Sequence, residues 1–258
     1  MIALAGWGAA VVVLLMFVLW IVHLPMRNAA IVDFGWALGL ALLGIGYAVF
    51  GRGWPARDIA IALMSGLWGL RLAFYLLLTR VIGHPEEGRY QELRRRWKTN
   101  LLLKFLAFFE MQALLDVVLS LPFLLAARNP NPGLSPVEWA GAALWTLAFA
   151  GELTADAQLS AFKSRPGNKG RTCQAGLWRF SRHPNYFFEW VVWMSFALFA
   201  LASPHGWLGF LSPALILYFL LRVTGIPATE EQALRSRREE YRRYRQTTSA
   251  FIPWFRKA

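Results

Sequence analysis

The chain holds a single cysteine, Cys173, and four scattered histidines at positions 23, 84, 183 and 205. One cysteine excludes an internal disulfide and any multi-cysteine metal site. Neither HExxH nor another paired-histidine spacing occurs, so no zinc or di-iron centre is expected and no metal ligand is assigned. No GxGxxG follows a strand pattern and no GxxxxGK[ST] is present. A nucleotide, if bound, is therefore held without a Rossmann or P-loop fold. Charge is scarce at 16%, and the longest polar stretches are too short to build a second core, so residues 1–258 read as one domain.

Apolar and aromatic residues fill the space that charge leaves. The sequence is 57% hydrophobic, with 13 Trp and 19 Phe, outside the range of soluble domains and within that of an all-α polytopic membrane bundle. Runs long enough to cross a hydrocarbon core of about 30 Å fall near residues 2–24, 34–50, 58–79, 101–126, 137–160, 187–203 and 206–225, which predicts seven spans. Four glycines make the second the weakest on helix propensity. The first has no basic leader or small-residue cleavage site and reads as a retained span.

The net charge of +12 follows the loops and matches no nucleic-acid motif, so no nucleic-acid partner is expected. Basic residues crowd residues 80–98, 163–182 and the tail from Arg235 to Lys257, while the alternate loops hold only Arg52, Arg57 and Arg128. By the positive-inside rule the crowded segments are cytoplasmic, the N-terminus is outside and the C-terminus inside, as in a bacterial inner membrane. Residues 129–136, NPNPGLSP, form a turn. Residues 229–246 read as a charged helix opened by Thr-Glu-Glu, with Glu231–Arg235 and Glu239–Arg243 at i,i+4. The ending AFIPWF resembles an interfacial anchor.

Polar residues inside or beside the apolar runs are costly and point to function. They are Asp33, Arg71, Glu110, Asp116, Glu152, Asp156 and Glu189. Glu152 and Asp156 share a helical face and precede the basic run from Lys163 through Arg165, Asn168 and Lys169. Residues 176–190, GLWRFSRHPNYFFEW, bring Trp178, Arg182, His183, Asn185, Tyr186 and Glu189 to the head of an apolar run. Arginines meet phosphates, Asn and Glu meet an amide, and aromatic rings cover flat heterocycles. A dinucleotide makes all three demands. Arg94, Arg95 and Arg96 read as ordinary cytoplasmic anchors.

These segments, with VDFGW at 32–36, GLRLAFYLLLTR at 69–80, GRYQELR at 88–94 and ELTADAQLSAFK at 152–163, resemble the DUF1295 branch of the membrane steroid 5α-reductase family, in a bacterial form. The resemblance runs from about Asp33 to the FIPWF ending. It implies an NADPH-dependent reductase of Δ4-3-ketosteroids or a similar enone lipid. Asn185 and Glu189 would hold the nicotinamide end, and Glu152, Asp156 and Lys163 the adenine and phosphate end. Arg71, Arg80, Tyr90, Arg165, Asn168, Lys169, Trp178, Arg182, His183, Tyr186, Tyr241 and Tyr244 complete the expected cofactor set. The Gln-Glu pair that faces the ketone in vertebrate members is absent, VDFGW standing in its region, and Trp68 falls near an expected substrate tyrosine.

Conjugate reduction places negative charge on the ketone oxygen, so a donor aimed there lowers the barrier most. Asp33, as a neutral acid, is the first candidate, followed by Glu110, Tyr75 and Tyr186. Two other classes remain open: S-adenosylmethionine-dependent methylation of a lipophilic substrate, as in isoprenylcysteine methyltransferases, and a transporter or lipid-binding protein. The number of cytoplasmic cations favours a phosphate-bearing cofactor over the first. No internal repeat supports the second.

Overall fold

A computed structural model describes residues 1–256, so Lys257 lies outside the described residues. The architecture is helical: α1 Ile2–Met26, α2 Ile31–Phe50, α3 Pro55–Leu76, α4 Gly88–Trp97, α5 Leu101–Leu119, α6 Leu121–Ala126, α7 Pro136–Lys163, α8 Pro184–Ala200, α9 Leu211–Tyr218 and α10 Ile226–Thr247. Among the described residues there is no strand, only an isolated bridge between Ser181 and Ser249. Every expected apolar run lies on helix. Four helical segments, Ile2–Met26, Ile31–Phe50, Pro55–Val81 and Gly206–Thr247, are long and apolar enough to cross a bilayer, and the chain is an integral membrane protein. In α5 the charges Lys104, Glu110 and Asp116 interrupt the apolar run, and α8 is only 17 residues long.

Three elements depart from the sequence-based boundaries. The run 101–126 breaks at Ser120, because Pro122 lacks an amide hydrogen to continue the ladder and restricts the residue before it. The run 206–225 is a 3₁₀ turn at Gly206–Phe210, then α9, then a π-helical turn at Phe219–Val223. The tail helix starts at Ile226 with Pro227 in its first turn, three residues before Thr229. It also breaks at Arg238, where φ is 27° and ψ is −101°. The pair Glu231–Arg235 forms at 2.6 Å and Glu239–Arg243 at 3.6 Å, both exposed.

The helices form two compact units, one of Met1–Trp139 with Ala197–Ser212, the other of Ala140–Phe196 with Pro213–Ala258. In the first, α2 is the hub and packs against α1, α3, α5 and α6. Its glycines, a weakness on propensity, are what allow this. A side chain at Gly44 would collide with Ser65 of α3, and one at Gly39 with Asp116 of α5.

One end of this unit is tied by a buried ion pair. Arg57 of α3 bonds Glu138 of α7 through Nε and Nη2, and also donates to the carbonyls of Asn129, Asn131 and Gly133 at 2.8 to 3.0 Å. Glu138 in turn accepts from the Ser135 amide and hydroxyl at 2.7 and 2.8 Å. Ser135-Pro136-Val137-Glu138 is thus a capping box with proline at the first helical position. One arginine organises the whole turn 129–135.

In the second unit α10 is held by its polar face. Arg182 Nε donates to Glu230 Oε1 at 2.6 Å, Arg245 meets Glu230 Oε2 at 3.2 Å, and the Tyr244 hydroxyl donates to the carbonyls of Trp178 and Ser181. The Ser181 hydroxyl reaches the Phe251 carbonyl at 2.8 Å, which fixes the ending. Phe251 is buried, whereas Trp254 and Phe255 are exposed as an interfacial anchor requires.

Candidate functional site

The second unit holds a cavity of about 500 Å³ between the C-terminal turn of α7, the loop after it and α10. Its wall carries Lys163, Arg165, Lys169, Arg171 and Arg237, and no carboxylate. The loop is set by its own backbone. Asn168 Nδ2 donates to the Phe162 carbonyl at 2.9 Å, the Arg171 amide to the Asn168 carbonyl at 2.9 Å, and Gly170 turns the chain at φ +78°. Arg237 reaches the Arg171 carbonyl at 3.4 Å and lies over the Tyr241 ring at 5.5 Å. Five cations around one concavity create a positive potential that attracts an anion. The wall also holds Cys173, whose thiol burial pushes above its ordinary value.

The same unit holds a second polar group, on facing helices. Glu152 and Asp156 of α7 are buried, and Asn185 Nδ2 of α8 donates to Asp156 Oδ1 at 3.3 Å. The helices come close because Gly151 leaves room for the Phe188 ring. Trp178 Nε1 caps the Ala155 carbonyl at 3.0 Å. Glu189 follows Asn185 by one turn of α8, on the same face.

Several residues expected to bind cofactor serve the fold instead. Buried Arg182 is turned to Glu230 and to the carbonyls of Arg245 and Thr248, so it secures α10. Tyr244 is spent on backbone carbonyls. His183 lies 3.5 Å from Glu230 and stacks flat on Tyr186, at 5.4 Å and 5°. Burial holds its imidazole below the usual value, which outweighs Glu230 and leaves the ring neutral at pH 7. The Tyr186 hydroxyl pairs with Thr229 Oγ1 at 3.2 Å. Burial, then the charge of Glu230, pushes the Tyr241 phenol up to about 12.

Asp33, Arg71, Tyr75, Arg80, Tyr90 and Glu110 belong to the first unit. Asp33 accepts from Arg89 and from the Tyr90 hydroxyl at 2.7 Å, with Arg80 at 3.5 Å. Its carboxyl is thus ringed by two arginines and a phenol. Glu87 bridges Arg80 and Arg89 at 3.2 and 3.1 Å. Burial, then the Asp33 charge, holds the Tyr90 phenol well above its ordinary value. Arg71 lies over the Tyr75 ring at 5.3 Å, and Glu110 is partly exposed on α5. Arg94 is more than an anchor: it bonds Glu86 at 2.9 Å and covers Phe105. Arg95 and Arg96 pair with exposed Glu92.

Sequence reasoning missed Arg171, Cys173 and Arg237 as cavity wall, Glu230 as a buried partner and Glu86 as a half-buried one. The Arg237–Tyr241 spacing of i,i+4 was a readable signal for one of them.

The profile of a family described as "Protein of unknown function (DUF1295)" matches residues 19–248. An uncharacterised protein of Schizosaccharomyces pombe, C594.04c, is 26% identical over 216 residues, which cover 72% of this chain. The chain spans about 62% of the length of that curated relative. No solved structure matches it.

The clamp on α10 has a pH signature. Burial alone would raise the Glu230 carboxyl, but nearby His183 and the hydrogen bond and charge of Arg182 outweigh it and hold the group at about 2. A folded value below the unfolded one means the stabilisation is complete above about pH 4.5 and fades as pH falls toward about 2. Glu230→Gln should lose about 2 to 3 kcal/mol at pH 7 and flatten the acid limb. Limited proteolysis of α10 against pH measures both. An unchanged acid limb in the variant would assign the effect to another group.

Proposed function

The chain belongs to the DUF1295 family, and on that footing we propose that it is an NADPH-dependent reductase of a lipophilic enone, of the steroid 5α-reductase kind. The observation that carries this is the cavity walled by five cations and no acid. It fits the phosphates of NADPH, including the 2′-phosphate that NADH lacks. Such a wall has no counterpart in the needs of S-adenosylmethionine, which bears no phosphate.

NADPH, when bound, supplies hydride to the β-carbon of the enone, and the α-carbon takes a proton. The residues of this chain hold the cofactor and place it. Lys163, Arg165, Lys169, Arg171 and Arg237 neutralise phosphate, with Asn168 shaping the loop. Glu152 and Asp156 meet the hydroxyl and amine groups near them. Asn185 and Glu189 hold the carboxamide, Asn185 being fixed by Asp156. Asp33, Arg80 and Tyr90 brace the loop after α3 and lie outside this set. The ketone needs a donor, and Asp33 does not supply it.

We also infer seven crossings in a bacterial inner membrane, with the basic loops cytoplasmic, where NADPH resides. The lipid arrives from the bilayer. In a Cys173→Ser background, cysteines placed at Arg95 and Arg242 should react with an impermeant maleimide only from the cytoplasmic side, and at Asn131 and His205 only from outside. Two sites labelled from the opposite side would break the seven-span order.

Titration of purified protein in detergent with NADPH, NADH and S-adenosylmethionine tests the cofactor. NADPH should bind tightest, and Lys169→Ala and Arg171→Ala should each weaken it about tenfold, as for one lost interaction of about 1.4 kcal/mol, and soften its salt dependence. Asn185→Ala should keep its fold and lose about tenfold to a hundredfold in turnover. Tighter binding of S-adenosylmethionine would overturn the reading.

A further inference from the structure

Asp116 of α5 is fully buried, and neither carboxyl oxygen has a hydrogen-bond partner. Its neighbours explain how it fits without explaining what it does. α5 approaches α2 at Gly39, where a Cβ would collide with Asp116 Oδ2 and touch Val12 of α1. One turn on, the Ser120 hydroxyl donates to the Val117 carbonyl at 2.9 Å and lies 3.5 Å from the Tyr47 hydroxyl. Asp116, Ser120 and Tyr47 thus form a short polar row where α1, α2 and α5 meet, inside an apolar wall.

Elsewhere in the chain a buried charge has a partner: Arg57 has Glu138 and Arg182 has Glu230. Asp116 has none. An unpaired carboxylate in such a place is very costly, and even an unbonded neutral acid forfeits its hydrogen bonds. Among the described residues no group of three or more His, Cys, Asp or Glu could hold a metal ion. Asp116 therefore belongs to no multi-ligand metal cluster among the described residues. A neutral acid offers one strong donor in a dry site, and its natural complement is an uncharged acceptor soluble in lipid.

We propose that Asp116 is a ligand site inside the first unit, a carboxylic acid that donates to the carbonyl oxygen of a lipid reaching it from the bilayer. That the lipid is an enone substrate rests on the reductase reading; that the acid receives a carbonyl does not. Asp116 then takes the donor role first sought at Asp33.

Dicyclohexylcarbodiimide, an apolar reagent for protonated carboxyls, tests this on the full chain in liposomes, with the modified residue located by peptide mass mapping. Wild type should be modified at Asp116 and Asp116→Asn should not. Saturating progesterone should slow that modification by about tenfold, the worth of one hydrogen bond of about 1.4 kcal/mol, whereas pregnane, which has no carbonyl, should not. Failure to modify Asp116, or equal slowing by both steroids, overturns the proposal. Asp116→Asn should bind NADPH as wild type does, which also shows that it folds. Wild type that is modified at Asp116 yet ignores NADPH would sink the reductase reading and leave this site standing.

Discussion

Charge inside an apolar interior must be met by a partner, and the first and second units are each organised around one such meeting. Arg57 with Glu138 ties α3, the turn 129–135 and the start of α7 in the first. Arg182 with Glu230 ties the segment before α8 to α10 in the second. Removing one partner of such a pair leaves the other buried alone, at a cost of about 3 to 5 kcal/mol. The buried arginines are therefore committed to the fold, while the cations around the cavity stay open to solvent.

That division of labour gives the functional reading its shape. The five cavity cations come from three elements, α7, the loop and α10, so the concavity exists only when α10 is docked. The Glu230 clamp is thereby a positioning device for Arg237, which carries one wall. The break at Arg238 directly follows that wall residue. Where an acid is left without a partner, at Asp116, the same constraint turns from a structural rule into a pointer to a ligand.

Much of this was legible in the residues. Long apolar runs dictate helices in a bilayer, because only there are backbone groups satisfied internally, and each run lies on helix. The basic run 163–171 lies on the wall of a cavity, and Glu152 and Asp156 are buried on α7. What the sequence hid were long-range pairings. Ser135 to Glu138 reads locally as a capping box, but that Glu138 also receives Arg57, 81 residues away, does not. Arg182 looked like a phosphate ligand because it sits among Asn185 and Glu189. Its partner in the structure is 48 residues on, in the charged tail helix. The contacts of Asp33 were hidden for the same reason: Arg89 and Tyr90 return to it from α4.

The proposed activity is hydride transfer from a nicotinamide to a lipid carbon–carbon double bond. The direct measurement gives purified protein NADPH deuterated at the transferring position of C4, together with progesterone, and reads the steroid by mass spectrometry. The account predicts a saturated product carrying one deuteron at the β-carbon, formed only in the presence of protein. A steroid that stays unsaturated and unlabelled, while S-adenosylmethionine donates a methyl group to a lipid under the same conditions, would contradict it.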